Sequence, residues 1–329
     1  MKSLDRYWYS DRPVVWLLIP VSWLFRLVVA ARRLAYRTGI LRTRRLPIPV
    51  IVVGNITVGG SGKTPLVAWL ANLLREHGYQ PGLVSRGYGG KAAHWPQQVR
   101  SDSDPVTVGD EAVLLASRTR CPMAVGPDRA GAAKALLEHR RCDVIVSDDG
   151  LQHYALGRDI EIAVVDGVRR LGNGHMLPAG PLREPKRRLR RVDFVVATGG
   201  GGHGEYGMKL RPALPRRVGG DDEAVSWQAF AGRTVHAVAG IGHPSRFFAA
   251  LRKQGLDIVE HPFPDHHGFS REDLRFAKSD EAILMTEKDA VKCRHFENAN
   301  LWYVPVVAEL DPRFGERLLA LLDRKKTRG

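Results

Sequence analysis

The sequence is poor in cysteine. Only Cys121, Cys142 and Cys293 occur in 329 residues, and none is spaced as a pair. That excludes a disulfide framework and a C-x-x-C metal site, and it fits a reducing cytoplasm. Acidic residues are the minority charge, 35 against 50 basic ones, which leaves +15 at pH 7. Such an excess points to an anionic partner: nucleic acid, a membrane surface or a phosphorylated substrate. No recognisable nucleic-acid module accompanies it, so nucleic acid is not an expected partner. No feature points to a protein partner. Internal repeats are absent. An unbroken apolar run of the roughly 20 residues that a span requires is also missing. The run from Val14 stops at Arg26 and contains Pro20, and no small-residue cleavage site follows it. Trp8, Trp16 and Trp23 with flanking arginines suit a helix lying on anionic lipid. A spanning helix and a core-packing helix are the alternatives. The arginines up to Arg45 favour a cytoplasmic location for this end.

What is present is an alternation. Short β-branched runs such as PIPVIVVGN (47–55), CDVIVSDDG (142–150) and DIEIAVVDG (159–167) alternate with helical patterns such as TPLVAWLANLLREHG (64–78). This order implies an α/β fold with a mainly parallel, doubly wound sheet. The glycine-rich stretch 199–224 reads as a crossing into a smaller α/β domain. The expected division is an N-terminal hydrophobic helix (1–33), a P-loop core (34–225) and a C-terminal α/β domain (226–329). LWYVPVVAEL (301–310) reads as one last strand, and 323–329 as a frayed tail.

GNITVGGSGKTP (54–65) follows the first strand and opens a helix. Backbone N–H groups in such a loop turn toward phosphates, and the helix N-terminus adds a favourable dipole. Thr57, Val58, Gly59, Gly60, Ser61, Gly62, Lys63 and Thr64 are therefore the expected cradle. Lys63 reaches the β- and γ-phosphates and the Thr64 hydroxyl ligates Mg²⁺. The strict pattern has glycine where Thr57 stands. Asp148 and Asp149 end another strand, where an acidic residue would complete a Mg²⁺ site. A guanine-reading N-K-x-D is lacking, so the expected nucleotide is ATP. For the acceptor, GDE (109–111) offers Asp110 and Glu111 at a helix start, and FPDHHGF (263–269) offers Asp265, His266 and His267, read either as a metal site or as a carboxylate–histidine pairing suited to proton handling. TEKDAVK (286–292) reads as a capped helix start. PLREPKRRLRRVD (181–193) gathers Arg183, Lys186, Arg187, Arg188, Arg190 and Arg191, which suits a membrane-facing patch. A P-loop switch or assembly ATPase, and a nucleic-acid-binding ATPase, are the competing classes.

These motifs, together with SRGYGG (85–90), DDGLQH (148–153) and LPAGPLREP (177–185), stand in the order seen in the tetraacyldisaccharide 4′-kinases, the lipid A kinases of Gram-negative bacteria. The sequence resembles that family over nearly its whole length. Thr57 belongs to the family's version of the loop. Ala112 departs from it, since many relatives have proline after GDE. The resemblance implies transfer of the ATP γ-phosphate to the 4′-hydroxyl of a tetraacylated glucosamine disaccharide 1-phosphate at the cytoplasmic face of the inner membrane. It further implies Mg²⁺ near Asp148, Asp149 and Glu184, catalysis by Asp110 paired with His266, and substrate contacts from Arg86 and His153. By motif position the family histidine is His266, with His267 beside it.

Overall fold

The computed structural model describes residues 7–9, 14–220, 223–278, 281–296, 298 and 300–326. Residues 1–6 of the expected N-terminal segment and 327–329 of the expected tail lie outside them. The chain runs α1 (Val14–Arg37), β1 (Val50–Gly54), α2 (Lys63–Glu76), β2 (Pro81–Ser85), β3 (Gln97–Val99), α3 (Pro105–Val108), α4 (Asp110–Thr119), β4 (Met123–Val125), α5 (Arg129–His139), β5 (Val144–Ser147) and β6 (Ile160–Asp166). After a 3₁₀ turn at Lys186–Arg191 come β7 (Phe194–Thr198), β8 (Tyr206–Pro212), β9 (Arg216–Arg217), β10 (Val235–Ala239), α6 (Pro244–Lys253), β11 (Ile258–Pro262), β12 (Ala282–Thr286), α7 (Glu287–Ala290), β13 (Leu301–Val304), β14 (Val306–Leu310) and α8 (Pro312–Lys326).

Nine strands form one sheet in the order β14-β8-β7-β6-β1-β5-β2-β4-β3. The strands from β8 to β4 are parallel, and β14 and β3 add antiparallel edges. Helices cover both faces, so β1 is buried throughout. Ile51 and Val53 pack with Leu66, Leu70, Val113 and Phe314 from α2, α4 and α8. Val50 and Val52, pointing the other way, pack with Ala133 and Leu136 from α5. This alternation fixes where β1 and β5 end, and the loops that carry Lys63 and Asp148 emerge side by side from adjacent strands.

The second sheet, β11-β10-β12-β13-β9, is parallel apart from β9. Its extent differs from the 226–329 read from the sequence. β9 already belongs to it, and the run 301–310 is split at Pro305 into β13 on the second sheet and β14 on the first. Proline has no N–H to give a ladder, which suits it to the point where a strand changes sheets. The Ala213 N–H donates to the Pro305 carbonyl at 2.8 Å, so the two crossings between lobes are bonded to each other. Helix α8 then returns to the first core, burying Phe314, Leu318 and Leu322.

Helix α1 continues past Arg26 to Arg37, and its stretch from Val15 is long and apolar enough to cross a membrane by length and composition. Pro20 removes one intrahelical bond without ending it. One face is docked: the Ser22 hydroxyl donates to the Met176 carbonyl at 2.7 Å, and Phe25 and Val29 pack on the core. The other face leaves Trp16, Leu17, Trp23, Leu24 and Leu27 more than 60% exposed. That is a contiguous apolar stripe of the kind a soluble surface rarely shows.

Candidate active site

Thr57 needs no left-handed backbone. It is extended, bridged to Leu182, while the Val58 N–H donates to the Pro181 carbonyl at 2.9 Å. The segment carrying LPAGPLREP thus holds the first half of the loop. The turn into α2 is made at Gly62, with φ 88°, where an added Cβ would lie 2.9 Å from the Thr198 methyl. Glycine is required there on both grounds. Inside the loop, Asn55 Nδ2 donates to the Gly59 carbonyl and to Ser61 Oγ, both at 3.2 Å. Gly60 is exposed, and Thr64 is half-buried in the first turn of α2.

Lys63 Nζ is 3.5 Å from Asp149 Oδ1, and Arg183 Nη1 donates to both Asp149 oxygens at 3.1 and 3.0 Å. Burial alone would raise the Asp149 carboxyl, but Lys63 and Arg183 hold it below its usual value. Asp148 is different. Burial, with the Glu111 and Asp149 charges adding to it and Lys63 opposing, raises it to about 7. Its Oδ1 is buried with no hydrogen-bond partner. A buried carboxylate among carboxylates with an unpaired oxygen is a place that a cation would stabilise. Among the described residues no three His, Cys, Asp or Glu side chains gather as a metal cage. Mg²⁺ needs none, since it keeps several waters and takes one or two carboxylates plus phosphate oxygens. Glu184, expected near the metal, is fully buried and engaged elsewhere. Gln152 Nε2 donates to Oε1 at 2.8 Å, and Tyr154 OH and Arg188 Nε approach Oε2 at 2.5 and 3.4 Å. It braces the loop after Asp149 through Gln152, which also donates to the Asn55 carbonyl at 3.0 Å.

Glu111 links this cup to the second cluster, because its neighbour Asp110 begins α4. Gly109 precedes it with φ 95°, and an added Cβ would sit 2.6 Å from the Tyr88 carbonyl, so SRGYGG and GDE pack backbone to backbone. Asp110 is buried. Its Oδ1 accepts from the Glu111 N–H at 2.8 Å and its Oδ2 lies 3.0 Å from His266 Nδ1. Of the two adjacent histidines it is His266 that reaches Asp110, from the second lobe; His267 pairs with Asp273 at 3.1 Å instead. His266 has φ 60° and Asp149 has φ 47°, conformations uncommon for residues other than glycine. Lys288 Nζ lies 3.2 Å from His266 Nε2 and 3.1 Å from Glu111 Oε1. An ammonium can only donate, so Nε2 accepts and the imidazole proton sits on Nδ1, facing Asp110. Burial would raise the Asp110 carboxyl, but His266 and then Lys288 hold it low. The Asp110 hydrogen bond raises His266 above its ordinary 6.5.

Arg129 was invisible as a site residue. It lines the same loop, donating from Nη2 to the Asp149 carbonyl at 3.2 Å with Nη1 3.4 Å from His153 Nδ1. One signal marks it: a buried arginine opening a helix, where the dipole disfavours a cation. Burial lowers its pKa and the nearby Arg86 charge adds to this, while Asp149 opposes. Arg86 itself is exposed at the end of β2. Lys288 was legible only as part of a helix start, which it also is, since Thr286 Oγ1 caps α7. In the basic run Arg183 and Arg188 point inward, Arg188 to Glu161 and Glu184, which leaves Lys186, Arg187, Arg190 and Arg191 exposed.

Residues 14–323 match the family model for tetraacyldisaccharide-1-P 4′-kinase (LpxK). A tetraacyldisaccharide 4′-kinase of Nitrosococcus oceani is 58% identical over 97% of this chain and 94% of that protein. One from Methylobacillus flagellatus is 52% identical over 98% and 96%. Among solved structures, LpxK from Aquifex aeolicus in complex with ATP superposes with a TM-score of 0.82 at 30% identity, covering 95% of this chain and 99% of that one.

Proposed function

Since the chain belongs to the tetraacyldisaccharide 4′-kinase family, we infer that Lys63, Asp110 and His266 carry its phosphoryl transfer and that one cleft holds both substrates. The enzyme is an ATP-dependent lipid A 4′-kinase, a phosphotransferase acting on a lipid disaccharide phosphate. The observation supporting this assignment of residues is continuity. Lys63 meets Asp149, Glu111 acts on Asp148, and Asp110 beside Glu111 meets His266. Incubation with labelled ATP and acylated disaccharide 1-phosphate should give a doubly phosphorylated lipid. ATP hydrolysis without a labelled lipid would instead indicate a switch ATPase.

The loop Thr57–Thr64 holds the triphosphate through backbone N–H groups. Lys63 offsets charge on the transferring group, the larger part of the catalysis. Thr64, Asp148 and Asp149 would hold Mg²⁺, which when bound neutralises charge on the phosphate oxygens. Arg86 and His153 are assigned to contacts with the acceptor. Asp110 orients the 4′-hydroxyl and accepts its proton late in the transfer, while the His266 Nδ1–H keeps the carboxylate ionised and aimed.

The His266 shift gives a pH dependence. Below its raised pKa the imidazolium withdraws further charge from Asp110, so kcat falls as pH falls. The acid limb of kcat should therefore have its midpoint above 6.5, and His266→Gln should remove that limb. A midpoint unchanged in His266→Gln would assign it to another group. The linkage to stability has the opposite sign. A histidine raised on folding stabilises fully below 6.5, and its contribution is lost as pH rises through the folded value. Acid thus tightens this contact between lobes while it slows transfer.

The exposed stripe of α1 and the four exposed basic residues of 186–191 suit attachment to the cytoplasmic face of an anionic bilayer. Replacing Trp16, Trp23 and Leu27 together with serine should lower co-sedimentation with anionic vesicles more than about tenfold. The docked side, with Ser22 and Phe25, is left intact. Unaltered sedimentation would remove the helix from membrane binding.

A further inference from the structure

A cavity of about 970 Å³, the size of a small-molecule site, opens between the two lobes behind α4. The first lobe contributes Arg100 after β3, Arg120 after α4 and Arg140 after α5. The second contributes Arg217 of β9 and Arg294. One helical segment separates this space from the catalytic cluster. α7 continues through a 3₁₀ turn at Val291–Cys293 to Arg294. Lys288 and Lys292, four residues apart, face His266 and Asp110. Glu287, Ala290, Val291 and Arg294 recur at helical spacing on another face and line the cavity. α4 runs alongside, from Asp110 to the cavity wall, over ten residues or about 15 Å.

Charge marks the cavity as an anion site. It gathers five guanidinium groups against two carboxylates, Asp102 and Glu287. Glu287 is already held by Arg118 at 3.5 Å, and Asp102 by Arg100 at 3.2 Å. Among the described residues Arg120, Arg140 and Arg217 have no acidic partner, and Arg217 lies over the Trp302 ring at 5.1 Å. Arg294 donates to neutral groups, the Ser101 carbonyl and, at 2.9 Å, Ser117 Oγ. Arg120 and Arg140 cap helices, where a cation complements the dipole. That does not account for Arg217 and Arg294, which come from the other lobe to the same space. A cleft lined by one sign of charge focuses its field and concentrates the opposite ion. The walls also meet across the lobes, through Arg294 with Ser101 and Ser117 and through Glu287 with Arg118. A ligand held here touches both lobes.

We propose that this cavity binds a small soluble molecule carrying two or more phosphate charges, a diphosphate or a bisphosphate, and that its occupant regulates the kinase by holding the lobes together. Guanidinium forks match phosphate oxygens in pairs. Arg100, Arg120 and Arg140 offer them from the first lobe, Arg217 and Arg294 from the second. None of the lining residues belongs to α1 or to the stretch 176–189 on which α1 docks, so the ligand is a soluble anion rather than a bilayer headgroup. The bound anion turns repulsion between cations of the two lobes into a bridge. It also steadies the segment 287–294, whose opposite face sets Lys288 against His266. The Asp110–His266 contact is itself a contact between lobes. A ligand that favours this arrangement raises the competent fraction of the enzyme, and with it the apparent affinity for the acceptor. Binding here stands apart from the kinase reading above, and only its effect on rate rests on that reading.

The probe is pyrophosphate, titrated by calorimetry into the full-length enzyme in neutral micelles at constant free Mg²⁺. The P-loop is first filled with a non-hydrolysable ATP analogue, which denies pyrophosphate that site. Saturable binding should remain. Arg217→Gln and Arg100→Gln should each weaken it about tenfold or more. Asp102→Asn removes the competing charge and should tighten it about two- to fivefold, a gain that a folding defect cannot imitate. In kinase assays at saturating ATP, pyrophosphate should raise kcat/KM for the acceptor about fivefold or more in the wild type and leave Arg217→Gln unmoved. No binding to the nucleotide-filled wild type, or equal binding by the two arginine variants, would overturn the site. Binding with no change in rate would overturn the regulation. Displacement of pyrophosphate by anionic lipid added to the micelles would overturn the soluble ligand in favour of a headgroup. A wild type that binds pyrophosphate and transfers nothing to lipid would sink the kinase reading and leave the site standing.

Discussion

Lys63→Ala is expected to abolish measurable phosphoryl transfer while leaving the fold intact. The ammonium is the first residue of α2, 14% exposed and 3.5 Å from Asp149. A cation at a helix N-terminus opposes the macrodipole, at a cost of roughly 0.3–1 kcal/mol. Its presence there makes no sense as a stabilising device. Removing it also leaves Asp149 held by Arg183, so the melting temperature should hold or rise slightly. The rate should not survive. Loss of one preorganised group facing developing charge costs about 10²–10³-fold. On the proposed mechanism it is the cation that meets the transferring group, so the loss should reach at least that range. The check is an initial rate with labelled ATP beside a thermal melt. Full activity would take the P-loop out of the mechanism, and a collapsed melt would make Lys63 structural.

Asp110→Asn should show the other signature, a fall in kcat of about 10²–10⁴-fold with KM for ATP nearly unchanged. Asparagine keeps the shape and the acceptor for the Glu111 N–H, and it loses the negative charge facing His266. The contacts of Asp110 run to α4 and the second lobe, not to the phosphate loop. Nucleotide affinity should therefore be spared. Steady-state kinetics with each substrate varied would separate the two parameters. If only KM for ATP moved, Asp110 would be a binding residue and the Asp–His pair would lose its chemical role. Leaving His266 without its carboxylate should also return its pKa toward 6.5, which an NMR titration of the imidazole would read.

The residues that differ from expectation share one cause. Glu184 sits beside Arg183, which does bind Asp149, but in its fold of the chain it faces Tyr154, Gln152 and Arg188. Arg129 lay inside an ordinary helix pattern and Lys288 inside a capped helix start, and both patterns are real. A local pattern reports the backbone that a residue adopts. It carries no information about which distant side chain arrives opposite it.

The same distinction divides the molecule. Strand, glycine turn and helix at 50–76 were legible in the amino-acid string, because alternation, φ demands and helical spacing act over a few residues. The apolar helix was legible too, although its continuation to Arg37 was not. Only the folded chain brings Asp110 to His266, 156 positions apart, selects His266 over His267, and sends 306–326 back to the first sheet after Pro305. Those outcomes depend on how two sheets pack and cross, a balance of burial and hydrogen bonding summed over the whole chain that no short stretch contains.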